Sequence, residues 1–127
     1  MHLRAQLLRC ARCCKCCIET EMILLSSDLK RLSRYYRVED FAVFDGRFWR
    51  LKNLNGRCVF LDLDGKRCRI YEMRPLGCRL YPIVWDPERG VTVDEECPMR
   101  HTVTADEVFL KAKILLRAMR EEGLVPG

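Results

Sequence analysis

Thiol chemistry dominates what this chain can do. Of its nine cysteines, five crowd into Cys10-Ala-Arg-Cys13-Cys14-Lys-Cys16-Cys17, and four are spread out at Cys58, Cys68, Cys78 and Cys97. The first run has the skeleton C-x2-C-x2-C-C, with Cys14 as an additional thiol. A two-residue gap lets the chain turn back so that two sulfurs reach one metal, and tetrahedral zinc takes four such thiolates. Iron–sulfur clusters also take four, often three from a tight C-x2-C-x2-C run and one from afar, with a proline after the distant cysteine. Cys97-Pro98 has that form. Cys16 and Cys17, being adjacent, point differently: they can serve two metals, or one can bind while the other packs. Spacing does not partition the ligands. Two four-thiolate sites, or one site with the remaining cysteines structural, are both compatible with it.

The competing use of thiols is a disulfide framework. The count is odd, four of the nine lie in adjacent pairs, and the apolar residues at the N-terminus are interrupted by Arg4, Gln6 and Arg9, so no signal-peptide core is expected. The expected location is the cytoplasm, where thiols are kept reduced, and metal binding is favoured. Amide side chains are scarce (Gln6, Asn53 and Asn55), a thermophile tendency that matters because hyperthermophiles can keep intracellular disulfides. No apolar run is long enough to span a membrane. The formal charge is 23 − 18 = +5. Eight thiolates holding two zinc ions would lower it by about four units, and two four-iron clusters would do the same, so the basic excess largely balances a metal site.

The elements that must position these thiols are legible in outline. Residues 1–9 can form a short helix with Leu3, Leu7 and Leu8 on one face. Residues 10–17 read as a metal-binding loop, and residues 20–25 as a short strand. Ser27 is a candidate N-cap for a helix reaching about Tyr36, with Asp28 in its first turn and Leu29 and Leu32 facing the core. Asp45-Gly46, Asn55-Gly56 and Asp64-Gly65 are hairpin signals between aromatic and branched segments. The last of these turns would bring Cys58 and Cys68 together. A short helix or turn is expected over 75–81 and an extended segment around Val91 and Val93. Thr104 and Glu107 form a capping box for a helix over about 104–122, stopped by Gly123, with Phe109, Ala112, Leu116 and Met119 at helical spacing. The expected fold class is α+β: one small metal-stabilised domain spanning residues 1–127, with a core over 10–97, a short antiparallel meander, a mid-chain helix and a C-terminal helix.

Two stretches carry a family resemblance. One is Cys10, Cys13, Cys16 and Cys17. The other, longer and more specific, is Cys58-Val-Phe-Leu followed by Cys68-Arg-Ile-Tyr-Glu-Met-Arg-Pro-Leu-Gly-Cys78-Arg-Leu-Tyr-Pro82. Over residues 10–97 the chain resembles the YkgJ-type cysteine-cluster proteins, the CxxCxxCC family of zinc- or iron-chelating domains. The resemblance implies a ligand set of Cys10, Cys13, Cys16, Cys17, Cys58, Cys68, Cys78 and Cys97. The family's usual Cys-Gly-x-Cys-Cys pattern has glycine where this chain has Cys14, so Cys13 and Cys14 compete for one ligand position. The implied cofactor is an iron–sulfur cluster (4Fe-4S) or Zn2+.

Around the cysteines, Arg74 and Arg79 are candidates to donate hydrogen bonds to sulfur, with Tyr71 beside them, although surface or buried carboxylates are the commoner partners of arginine. Tyr71 and Tyr81 read more simply as core aromatics. His101 lies in a C-x3-H spacing from Cys97 but reads as a surface residue, and Trp49 and Trp85 read as packing residues. Three functions compete: a metal-binding protein with a structural or electron-transfer centre, an iron–sulfur-dependent protein-modifying enzyme, and a nucleic-acid module. The enzyme reading rests on a related domain in flagellin lysine methylases, and neither a glycine-rich nucleotide loop nor the C-x3-C-x2-C spacing of radical enzymes supports it. The nucleic-acid reading rests on Arg31, Arg34, Arg37, Arg47 and Arg50 near Tyr35, Tyr36 and Trp49, and nucleic acid is not an expected partner. Metal ions are the expected partners, with room for a protein partner.

Overall fold

The computed structural model describes residues 17–62, 67–97 and 100–125. The helix and strand content is mixed, as an α+β fold requires. β1 (Ile23–Leu24) opens the described chain and leads into α1 (Ser26–Leu32) and a single turn, α2 (Val38–Phe41). β2 (Ala42–Phe44) and β3 (Trp49–Leu51) follow, and the three strands form an antiparallel sheet in the order β1-β3-β2. Three antiparallel pairs come next: β4 (Asn53–Leu54) with β5 (Arg57–Cys58), β6 (Leu61–Asp62) with β7 (Arg67–Cys68), and β8 (Ile83–Asp86) with β9 (Gly90–Val93). A 3-10 turn, Tyr71–Met73, and α3 (Leu76–Leu80) separate the last two pairs. The chain closes with α4 (Ala105–Glu121). The expected meander is thus divided into separate short ribbons. Two-residue strands cannot sustain one continuous twisted sheet, so each ribbon relies on packing.

Local signals account for several boundaries. Asn55 (φ 56°) and Gly56 (φ 78°) close the β4–β5 hairpin in two left-handed residues, the geometry that matches strand twist. At the β2–β3 turn the Asp45 carboxylate accepts the N–H groups of Arg47 (2.8 Å) and Phe48 (2.7 Å) and the guanidinium of Arg50. The Asp64-Gly65 signal lies outside the described residues, but the flanking pairs Leu61↔Cys68 and Asp62↔Arg67 form the expected hairpin. In α4 the Thr104 hydroxyl accepts the Glu107 N–H at 3.1 Å, and Gly123 (φ 71°) follows the last turn.

Two sequence expectations are corrected. Ser27 is not an N-cap: α1 starts two residues earlier than that cap would set it, at Ser26 with Leu25 as the cap residue, and ends at Leu32 rather than Tyr36. Its N-terminal N–H groups are met by carboxylates, Asp28 for Leu25 (2.9 Å) and Glu122 for Ser26 (2.6 Å) and Ser27 (3.3 Å). The face of α4 is also displaced. Glu107, Lys111, Leu115 and Met119 are buried, whereas Phe109 is 67% exposed. Met119 is buried as expected and Ala112 and Leu116 are half-buried, but Lys111 Nζ and Glu107 Oε2, 2.8 Å apart, neutralise each other inside the fold, so a count of apolar spacing alone misplaces Phe109 and misses this pair.

Leu24 and Leu25, being adjacent, point to opposite sides and divide the interior. Leu24 joins Leu32, Phe41, Phe60 and Ile70 in one apolar cluster, while Leu25 joins Phe48, Leu80, Leu115 and Met119 in a second. The cysteines lie mainly against the first.

Candidate metal centre

Five of the expected ligands lie within the described residues, each on a different piece of backbone. Cys17 precedes a stretch held beside the β4–β5 hairpin: Ile18 bridges to Arg57, and Glu19 N–H donates to Gly56 O at 2.7 Å. Cys58 is the second residue of β5 and is 5% exposed. This pairing brings the Cys17 and Cys58 thiols into hydrogen-bond contact. That contact is the main cause pulling the Cys58 thiol below its ordinary value; burial opposes it, and the Phe60 N–H assists. Cys68 ends β7, and Arg69 N–H donates to Phe60 O at 2.8 Å, which keeps the ribbon beside the Cys58 strand. Cys78 is the third residue of α3. Cys17, Cys58, Cys68 and Cys78 all pack in or against the first apolar cluster.

Cys97 stands apart. It is fully buried with Tyr81, whose hydroxyl donates to Asp94 at 2.8 Å, and its carbonyl accepts the Arg100 N–H at 3.1 Å. Met22 touches both this pair and the first cluster. Among the described residues no three potential ligands converge closely enough to hold a metal by themselves. Cys10, Cys13, Cys14 and Cys16 lie outside the described residues, so the choice between Cys13 and Cys14 lies there too. The donor set nevertheless suits a soft metal: the five thiols are all buried or half-buried, and one pair shares a hydrogen bond.

The flanking residues of the long motif make contacts around the turn before α3. The Arg74 guanidinium lies 4.0 Å over the Tyr71 ring, and its Nε donates to Tyr71 O at 2.8 Å. Arg79 donates to Glu72 O at 3.5 Å. Both arginines thus brace the 3-10 turn that leads into α3. His101 is exposed in the turn Arg100–Thr102. Of the arginines considered for nucleic acid, Arg31 donates to Asp28, Met73 O and Arg74 O, Arg50 is bound by Asp45 and Glu21 O, and Arg47 stacks on Phe48 at 4.7 Å. Trp85 packs edge-on against Phe48 at 5.6 Å, and Trp49 against the exposed Phe44 at 5.4 Å.

Three positioning devices escaped the sequence reading. Asp28, 1% exposed, accepts Leu25 N–H and Arg31 and also Leu76 N–H at 3.1 Å, so it fastens α1 to the start of the Cys78 helix. Asn53, paired with Cys58 in the hairpin, takes the Thr20 N–H (3.0 Å) and donates to Thr20 O (2.9 Å), which fixes the segment after Cys17. Gly77 leaves room for Met22: a methyl group there would overlap Met22 Sδ and come within 3.4 Å of Met22 Cγ.

Residues 9–98 match the CxxCxxCC family, described as a "putative zinc- or iron-chelating domain". The chain belongs to this family. Metal binding follows from that membership and agrees with the collected thiols. The CxxCxxCC chain is also similar to "Uncharacterized protein MJ0661" of Methanocaldococcus jannaschii, 33% identical over 89 residues, covering 65% of this chain and 48% of that protein. It therefore spans about half the length of this curated relative. No solved structure matches. Among the described residues no helix is long and apolar enough to cross a membrane.

Proposed function

We propose that the metal is held by Cys10, Cys13, Cys16, Cys17, Cys58, Cys68, Cys78 and Cys97, as [4Fe–4S] clusters with four thiolates to each in preference to zinc, and that residues 1–127 act as one metal-stabilised domain. The observation that carries this is that Cys17, just before the β4–β5 ribbon's partner segment, and Cys58, Cys68 and Cys78, on three separate elements, all pack in or against one apolar cluster. The thiols are held buried (Cys58) or half-buried (Cys17, Cys68, Cys78) against Leu24, Phe60 and Ile70, and an apolar surround limits solvent access to a bound centre. The short ribbons bury little by themselves, so cross-linking them through metal supplies folding free energy. A bound iron–sulfur centre supplies one-electron transfer, and zinc supplies only the cross-link.

This chain's own contribution is positional. Asn53 and the Ile18–Arg57 bridge hold Cys17 against Cys58; Asp28 holds the start of α3, and with it Cys78. The role proposed is structural or electron-transferring. The test is anaerobic purification with an absorption spectrum and iron, sulfide and zinc analysis of the same sample. Iron with equimolar acid-labile sulfide and a brown colour is the expected result. A colourless protein with about two zinc ions, four thiolates each, would replace the cluster with structural zinc. A folded protein without either would overturn the proposal.

A further inference from the structure

A groove of 540 Å³ lies between the segment from Ile18 to Leu25 and the β8–β9 ribbon, with α4 beneath it. At its base the half-buried Met22, Val84 and Trp85 offer an apolar strip, backed by the buried Leu25, Ile83 and Met119. Its rim is acidic. Among the described residues the rim bears Glu19, Glu21, Asp86, Asp94, Glu95 and Glu96 against only Arg50 and Arg89. That is 2 − 6 = −4, in a chain whose total is +5. Both arginines are already occupied, Arg50 by Asp45 and Glu21 O, Arg89 by Glu95 at 3.3 Å. The charge of this face is therefore opposite to that of the whole molecule and is not cancelled locally.

The walls are fixed before any ligand arrives. Asn53 clamps Thr20 on one side, and Arg50 holds the Glu21 carbonyl. On the other side four residue pairs register β8 with β9, and the Tyr81 hydroxyl anchors Asp94. A rigid groove spends little binding free energy on ordering. An apolar strip of Met22, Val84 and Trp85 beneath a carboxylate rim is the complement of a lysine or arginine side chain, whose methylene stem lies on apolar surface while its charge stays at the edge. The volume is in the range of ligand pockets and leaves space for a bulky apolar neighbour. Nucleic acid is disfavoured by the sign of the charge, and a bare metal ion or ammonium ion would leave the apolar strip unused.

We propose that this groove docks a basic segment of a partner polypeptide, with lysine or arginine residues flanking a large apolar side chain. The inference does not depend on which metal the cysteines hold. The probe is a short fluorescein-labelled peptide with lysines around a single tryptophan, titrated by fluorescence anisotropy into the purified metal-loaded chain at low salt. The same peptide with glutamates is the control. The lysine peptide is expected to bind and the glutamate peptide not, with binding weakening as salt rises. Glu19→Gln, Glu21→Gln and Glu96→Gln together should weaken it by about tenfold or more, since rim charges contribute modestly one by one. Thr92→Arg, which places bulk and a cation in the groove, should abolish it. Circular dichroism and metal content serve as checks that the variants remain folded. Failure of the lysine peptide to bind, equal binding of both peptides, or binding untouched by these variants would overturn the proposal. Displacement of the peptide by spermidine at equal concentration would also overturn it, as would self-association of the chain through this face.

Discussion

Asp28 offers the sharpest test of how the cysteine-bearing elements are held together. Its carboxylate is 1% exposed and serves three donors: Leu25 N–H, Leu76 N–H and the Arg31 guanidinium, at 2.9, 3.1 and 3.2 Å. Asp28→Ala removes all three at once. A buried main-chain N–H left unmet costs about 1–3 kcal/mol, and breaking a buried charged pair by deleting one member costs about 3–5 kcal/mol. Arg31 is one-third exposed and keeps the Met73 and Arg74 carbonyls, so its share is reduced. Leu76 is half-buried, so its N–H can turn to water as Arg31 does, and the total is held to about 3–5 kcal/mol, a large part of the roughly 5–15 kcal/mol typical of a domain. Asp28→Asn retains one acceptor and should cost about half as much. The assay is urea unfolding of the metal-loaded protein followed by far-ultraviolet circular dichroism. With a slope of about 1.5 kcal/mol/M, the midpoint should fall by about 2–3 M for alanine and about 1 M for asparagine. Because Leu76 starts the helix that carries Cys78, release of metal to a chelator should also accelerate in that order. An alanine variant within about 0.5 kcal/mol of the parent, or alanine and asparagine variants of equal stability, would refute the reasoning.

Three other perturbations follow from the same geometry. Gly77→Ala should destabilise by about 1–2 kcal/mol through overlap with Met22, but should become neutral or stabilising in a Met22→Ala background, where only the helix preference of alanine remains; a double-mutant cycle without that change of sign would remove the packing argument. Lys111→Met should cost about 3–5 kcal/mol by taking the cation from the buried Glu107 carboxylate, and Glu107→Leu combined with Lys111→Met should recover most of it; equal denaturation midpoints for the single and double variants would count against a buried pair. The Asp45 carboxyl is held well below the usual carboxylate range by the Phe48 N–H first, then Arg50 and the Arg47 N–H. A depressed folded-state value stabilises above the unfolded value of about 3.9 and loses that contribution as pH falls below it, so the stability gap between the parent and Asp45→Asn should narrow from about pH 5 downward; a gap constant with pH would contradict this.

The sequence by itself determined the features encoded by a few neighbouring residues. Asn55-Gly56 specifies a two-residue turn because both positions need positive φ. Thr104, Glu107 and Gly123 delimit the last helix because capping is an i→i+3 event at one end and a left-handed residue at the other. Cysteine spacing gave the metal-binding class for the same reason, since soft ligands close together in sequence have few other uses. Tertiary structure alone decided what joins these pieces. Glu122 caps a helix that begins 96 residues earlier, Asp28 reaches Leu76 across 48 positions, and Asn53 holds Thr20 across 33. Glu107 and Lys111 show the same limit within one helix: read as charges they belong outside, yet the fold buries both as a neutralised pair and leaves Phe109 exposed. The physical reason is that a carboxylate or amide carries no mark of its partner. Which donor it meets depends on which distant backbone the packing of the apolar residues brings beside it.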